Sequence, residues 1–335
     1  MSSTENTNKP TLTGQPFVVD ETPYCVWGYD LAAQNLTYIE GIDPTYFEHI
    51  AQMHGPLIDG EEGKYASIAV RVAYSHALET LFALLCATLQ SPHAVTGWMA
   101  RYRNNELRSV VWKIDNRRKV LTAFDTPIYR SWETVSQIFF QYKQTTHKDV
   151  NLRELFADLW NRLASDFLDE QRETEYNSIK HGMRVVPGGF TLAFGAENTP
   201  GVPAPPENMR LLGGSKFGSA FYTTEQLQDK LNFSIRRNSL NWSPETLIIR
   251  LHLISSSISN IVTFLKILHG VSPSELNYVI PTDITLFERA WAVDHSITSF
   301  STSRTIDASN LPTLSKEDIL KVYERSDITP STPQD

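Results

Sequence analysis

The sequence predicts a mainly α protein, a helical bundle carrying a small β-hairpin or sheet insertion around residues 185–235. Two long stretches and one change of grammar carry that expectation. Lys64–Gln90 contains neither Gly nor Pro and is strongly apolar. Leu152, Leu155, Phe156, Leu159, Leu163 and Phe167 recur at helical spacing. Between 185 and 235, by contrast, Pro, Gly and short apolar runs replace that periodicity, which is how strands and turns read.

Taken in order, residues 1–22 are rich in Ser, Thr, Asn and Pro and bury too little to offset their ordering entropy, so they read as a disordered tail. A single helical domain is expected over 23–300, with an inserted β/loop region at 185–240. A polar C-terminal tail with one short helix is expected over 301–335. From Tyr24 to Gly63, aromatic residues alternate with turn signals such as Asp43-Pro44, which predicts irregular structure or short helices. Lys64–Gln90 then forms a central helix that stops before Ser91-Pro92, because proline cannot continue the backbone hydrogen bonding. Helical regions follow at Trp98–Lys119, at Ser131–Lys143 and from Leu152 onward to Arg184. Val185–Phe194 reads as two strands around Pro187-Gly188-Gly189, with further strands at Phe217–Tyr222 and Leu231–Ile235. Ser243-Pro244-Glu245 opens another long helix with a cap, a proline suited to the first turn and a carboxylate for the dipole, and Gly270 closes it.

Composition narrows the classes of function. The formal charge of −8 argues against broad affinity for nucleic acid, which draws on phosphate neutralisation. Cys25 and Cys86 are the two cysteines, so neither a disulfide framework nor a cysteine-rich zinc site is expected. The first residues lack a basic segment followed by an apolar one, and Leu81–Leu89 is about half of the roughly 20 residues that span a bilayer, so the expectation is cytoplasmic, without membrane. No cofactor is implied. A Glu-x-x-His metal site would need that pattern twice, whereas His76 and Glu79 stand in reverse order and occur once, so no metal is expected.

Three groups of residues could carry chemistry. On one continuous helix, Glu173, Asn177, Lys180, His181 and Arg184 share a polar stripe, with Tyr176, Ile179 and Met183 on a separate apolar one. An imidazole titrating near neutrality can move a proton, Asn can orient a ligand, and Lys or Arg can offset anionic charge. His76 and Glu79, one turn apart on the central helix, lie among small side chains that would let another helix shield them. Between Arg101 and Lys119 seven basic residues face only Glu106 and Asp115, with Tyr102 and Trp112 among them. That mixture suits RNA or single strands, since cations hold phosphate and rings stack on bases; the plainer alternative is a solvated helix with its aromatics turned inward.

The segment Tyr176–Gly182 resembles the motif of the HEPN superfamily of RNA-targeting and defence proteins. That motif is an Arg, usually followed by Asn, with His five positions after the Arg. Asn177 and His181 fit this register, and Tyr176 stands where the Arg would be. The resemblance implies a helical homodimer acting on RNA without metal, with His181 as acid or base and Asn177 as orienter. Glu79 would fill an assisting acidic role, and Arg184 or Lys180 would replace the missing Arg. Two readings follow: an RNA-binding protein or metal-independent ribonuclease, or an inactive relative, and a non-catalytic interaction or defence-system subunit.

Overall fold

A computed structural model describes residues 11–124, 131–143, 152–227, 230–292, 297–303, 306–307 and 312–325. It is about 53% helical and 18% strand with three small sheets, so the architecture is mixed α/β and not the mainly helical bundle that the sequence predicts. The chain folds as two compact units, residues 1–177 with 243–294 and residues 178–242 with 295–335.

The first unit opens with strands β1 (Thr13–Val19) and β2 (Thr22–Gly28), an antiparallel hairpin in which Val19 pairs with Thr22. Composition assigns β1 to the tail; its strand is instead secured by the turn. Asp20 takes a left-handed φ of 53°, and its backbone exchanges two hydrogen bonds with the buried Gln90 side chain, 3.0 Å from Asp20 N to Oε1 and 2.9 Å from Nε2 to Asp20 O. Helices α1 (Leu31–Gly41) and α2 (Tyr46–His54) follow.

Helix α3 (Gly63–Gln90) matches the expected central helix, with apolar residues buried around most of its axis. The predicted region at 98–119 divides into α4 (Val95–Arg101) and α5 (Asn104–Asp115), broken where Tyr102 and Arg103 adopt extended backbone. Helix α6 (Trp132–Phe139) packs on α7 (Leu152–Leu168). Helix α8 (Glu170–Lys180) completes the first unit's share up to Asn177 and runs into the second.

In the second unit come β3 (Val185–Pro187), β4 (Thr191–Phe194), β5 (Arg210–Gly214), β6 (Gly218–Gln226) and β7 (Phe233–Asn241). The chain then returns to the first unit through α9 (Pro244–Leu268), the short α10 (Leu286–Arg289) and, back in the second, β8 (Ser299–Thr302) and α11 (Lys316–Arg325). As expected, Ser243 caps α9 by accepting from Thr246 N, and Gly270 takes a φ of +96° beyond its end. Helices α3 and α9 pack on each other, and Trp160 of α7 donates to Ser257 of α9 at 3.1 Å inside the core. Both long helices are long and apolar enough to cross a membrane, but most of each is buried within the fold.

The segment 185–194 holds two strands, yet they do not pair with each other. β3 joins the sheet β3-β6-β7-β8, and β4 pairs with β5 in a sheet of two. Between them Gly188 N donates to Gly218 O and Gly189 N to Lys216 O. A Cβ on Gly189 would lie 2.2 Å from the Ser215 carbonyl oxygen, so backbone approach and not hairpin closure sets this turn.

Candidate functional site

Helix α8 ends one residue before His181. Gly182 and Met183 take positive φ values of 105° and 51°, Met183 N donates to Ile179 O, and Arg184 N donates to Ser178 O at 2.8 Å. This is the left-handed closure that satisfies the last carbonyls of a helix. The helical stripe expected from Glu173 to Arg184 is therefore cut: Lys180 is the last helical residue, His181 is exposed just outside, and Arg184 follows the reversal. Asn177 is half-buried in the first unit, whereas Lys180, His181 and Arg184 belong to the second. Glu173, at the other end of the stripe, receives a hydrogen bond from Asn104 and an ion pair from Arg108.

His76 and Glu79 turn to different neighbours. The His76 ring is exposed and lies edge-on to Phe47, with centroids 5.3 Å apart. Glu79 is half-buried and accepts from Tyr102 OH at 3.3 Å. Burial, then the nearby Glu79 charge, pushes the Tyr176 phenol above its ordinary pKa, and the same two causes raise Tyr102 further. Tyr176, at the motif's Arg position, is thus held neutral beside a carboxylate.

Among the described residues, the most deeply buried ion pair involves neither His181 nor His76. Arg71, the one charged residue between Lys64 and Glu79, points from α3 to Glu175 of α8 through Nε and Nη2 at 2.9 and 2.6 Å, with both side chains almost wholly buried. One turn along α3, Tyr74 OH donates to Asp166, whose carboxylate also pairs with Arg172 at 2.6 Å and Arg250 at 2.7 Å. Burial and the Asp166 charge hold the Tyr74 phenol well above its usual range. For Arg172, burial opposes the charged form, but Asp166, Tyr74 and Asp169 outweigh it and raise the pKa. Arg250 stacks over Trp291 and Tyr74 and donates to Ala290 O. Two carboxylates and three guanidinium groups hold one another, so the arrangement joins α3, α7, α8 and α9 and leaves its acids engaged. A lone guanidinium in an apolar helix was the sequence signal for it, because a buried charge requires a counter-charge.

The basic stretch divides by what each cation touches. Lys113 is bound to Asp20 at 2.6 Å and Glu21 at 2.8 Å, and Arg108 donates to the Phe167 and Leu168 carbonyls. Tyr102 turns inward and stacks on Trp98. Arg101 lies over the Tyr24 ring of the hairpin with its guanidinium 4.8 Å from the centroid. At the C-terminal end of α5 the pattern reverses: Trp112 is 48% exposed, and Arg117, Arg118 and Lys119 are all exposed. Asn116 folds back onto the Trp112 carbonyl through N and Nδ2, and Arg117 adopts a φ of 52°, which turns the chain carrying the three cations off the helix end. Among the described residues no group of three or more His, Cys, Asp or Glu side chains could hold a metal ion. No protein-family model, curated protein or solved structure matches the chain.

Proposed function

We propose that this chain binds single-stranded RNA through the C-terminal end of α5, and that it binds without cutting. The observation that carries the reading is the outward Trp112 near the end of α5, followed in the chain by the exposed Arg117, Arg118 and Lys119. A solvated helix with its aromatics inward would bury that indole, as the same stretch does with Tyr102. An exposed ring in the same segment as three exposed cations offers a base something to stack on and phosphates something to pair with, in competition with Glu133 for Arg117 and with Glu21 for Lys119. The net charge of −8 confines such binding to this patch.

Absence of cleavage is supported by Tyr176. A HEPN-type reaction needs a cation where charge develops on phosphate, and a neutral phenol beside Glu79 supplies none. Of the two expected substitutes, Arg184 lies beyond the reversal that ends α8, and Lys180, the last residue of that helix, is exposed.

Fluorescence anisotropy with a labelled single-stranded RNA tests the binding. The triple variant Arg117→Ala/Arg118→Ala/Lys119→Ala should flatten the slope of log K against log salt by about 2, at roughly 0.7 per phosphate contact. Trp112→Ala should weaken binding by about 1–3 kcal/mol. Undiminished binding by both variants, or none by the wild type at about 50 mM salt, would remove the proposal. Incubation of wild type and His181→Ala with RNA and a chelator tests the rest: cleavage by the wild type that His181→Ala abolishes would replace the binding protein with a ribonuclease.

A further inference from the structure

Within the second unit, the four-stranded sheet has two unlike faces. Phe221, Ser219, Asn238 and Leu240, on one side of the pleat, are buried. The register puts Tyr222 opposite Arg237, Thr224 opposite Ile235 and Gln226 opposite Phe233 on the other side, where Tyr222, Ile235 and Phe233 are 57%, 61% and 54% exposed. Strand side chains alternate, so these residues form one continuous outer face on which Tyr222, Ile235 and Phe233 alternate with Thr224, Gln226 and Arg237, the last being the one charged side chain among them.

Helix α11 belongs to the same unit and presents the matching surface. Ile319, Leu320 and Tyr323 fall within about 100° of its circumference, and Leu320 and Tyr323 are 50% and 76% exposed. Lys321 lies opposite this stripe, while Glu324 flanks it near the C-terminal end.

We infer that α11 docks along the outer face of β6 and β7 in its own chain, burying Leu320 and Tyr323 against Phe233 and Ile235 and bringing Glu324 to Arg237. Two features select this occupant. The chain just before the helix already reaches the hairpin end of the sheet, where Asn232 Nδ2 approaches Leu314 O at 3.5 Å. A ten-residue helix is about 15 Å long, and the four steps of strand from Phe233 to Arg237 cover about 14 Å. A helix laid from the hairpin end along β7 therefore brings its last turn, with Glu324, level with the one cation on that face. Docking would cover the exposed apolar side chains of that face, and release would expose them. The inference stands independently of the RNA-binding proposal, which concerns the first unit.

Paired cysteines test it in a Cys25→Ser background, since Cys86 is buried. On mild oxidation of dilute protein, Ile235→Cys/Tyr323→Cys should convert to an intrachain disulfide, read as a faster-migrating monomer on a non-reducing gel, and Ile235→Cys/Lys321→Cys should not. No cross-link with position 323, equal cross-linking at 321, or disulfide-linked dimers as the main product would each overturn the assignment, the last in favour of a second copy as occupant. If the paired variant fails to fold, Tyr323→Asp alone should raise the binding of an apolar dye to the protein; unchanged dye binding would overturn it equally.

Discussion

Helix α3 and strand β7 handle polar and apolar side chains in opposite ways. Around α3 nearly every apolar residue is covered, and the one guanidinium that enters the core is matched by Glu175. Along β7 burial alternates from Phe233 to Arg237: the large apolar residues face out, while Ser234 and Arg236 are partly covered. The helix belongs to a closed core in which each charge needs a partner, whereas the strand displays one face that its own sheet cannot cover. A substitution at a charge should therefore cost much on α3, and a substitution at a large apolar residue should cost little on β7, the reverse of the usual ranking by hydrophobicity.

The largest expected effect is on the buried pair. Arg71→Met leaves Glu175 buried without its main counter-charge and should cost about 3–5 kcal/mol in denaturant unfolding, whereas Arg71→Met/Glu175→Leu should recover most of the loss. If the single variant is no less stable than the double, the contrast fails at its core.

Next comes Tyr74. Removing its hydrogen bond to Asp166 in Tyr74→Phe should cost about 1–3 kcal/mol at neutral pH. Its raised phenol also predicts a pH dependence. A group whose folded pKa exceeds its unfolded value of 10.0 contributes stability that is fully present below pH 10 and is lost as pH rises toward the folded value. Tyr278, pushed up to about 12 by burial and then by Tyr142, adds to the same alkaline loss. Thermal melts across that range should show stability falling above pH 10, less steeply in Tyr74→Phe; an identical slope would mean that Tyr74 does not contribute.

The smallest effect belongs to the sheet. Ile235→Ser, at a site 61% exposed on the sheet but shielded once α11 docks, should cost about 1 kcal/mol, more than the roughly 0.5 kcal/mol of an uncovered surface site and far less than a core substitution. A loss no larger than about 0.5 kcal/mol would count against the docking of α11.

The long helices were legible because their signals are local and repeated: periodic Leu and Phe, the Ser243 cap, and prolines or glycines at the ends. The hairpin β1–β2 was not, since its two-residue turn is Asp20-Glu21 and lacks the Asn-Gly or Asp-Gly pattern that marks such turns. Strands β5 and β8, with sequences RLLGG and SFST, have little character of their own and exist through pairing with β4 and β7. The candidate site divides in the same way. The cluster of cations between Arg101 and Lys119 could be read directly, but the inward turn of Tyr102, the outward turn of Trp112 and the capture of Lys113 by Asp20 and Glu21 depend on which elements pack alongside.

By itself, then, the sequence determined where the long helices run, that a Gly- and Pro-rich β region follows Arg184, and which residue types are available for chemistry, because backbone propensity and side-chain periodicity act within a few residues. Only the tertiary structure decided which carboxylate meets Arg71, where α8 stops short of His181, and which face of β7 is left open. Those outcomes depend on burial and charge pairing between residues as far apart in the chain as Arg71 and Glu175, or on how a helix end is closed in space, and no local pattern encodes them.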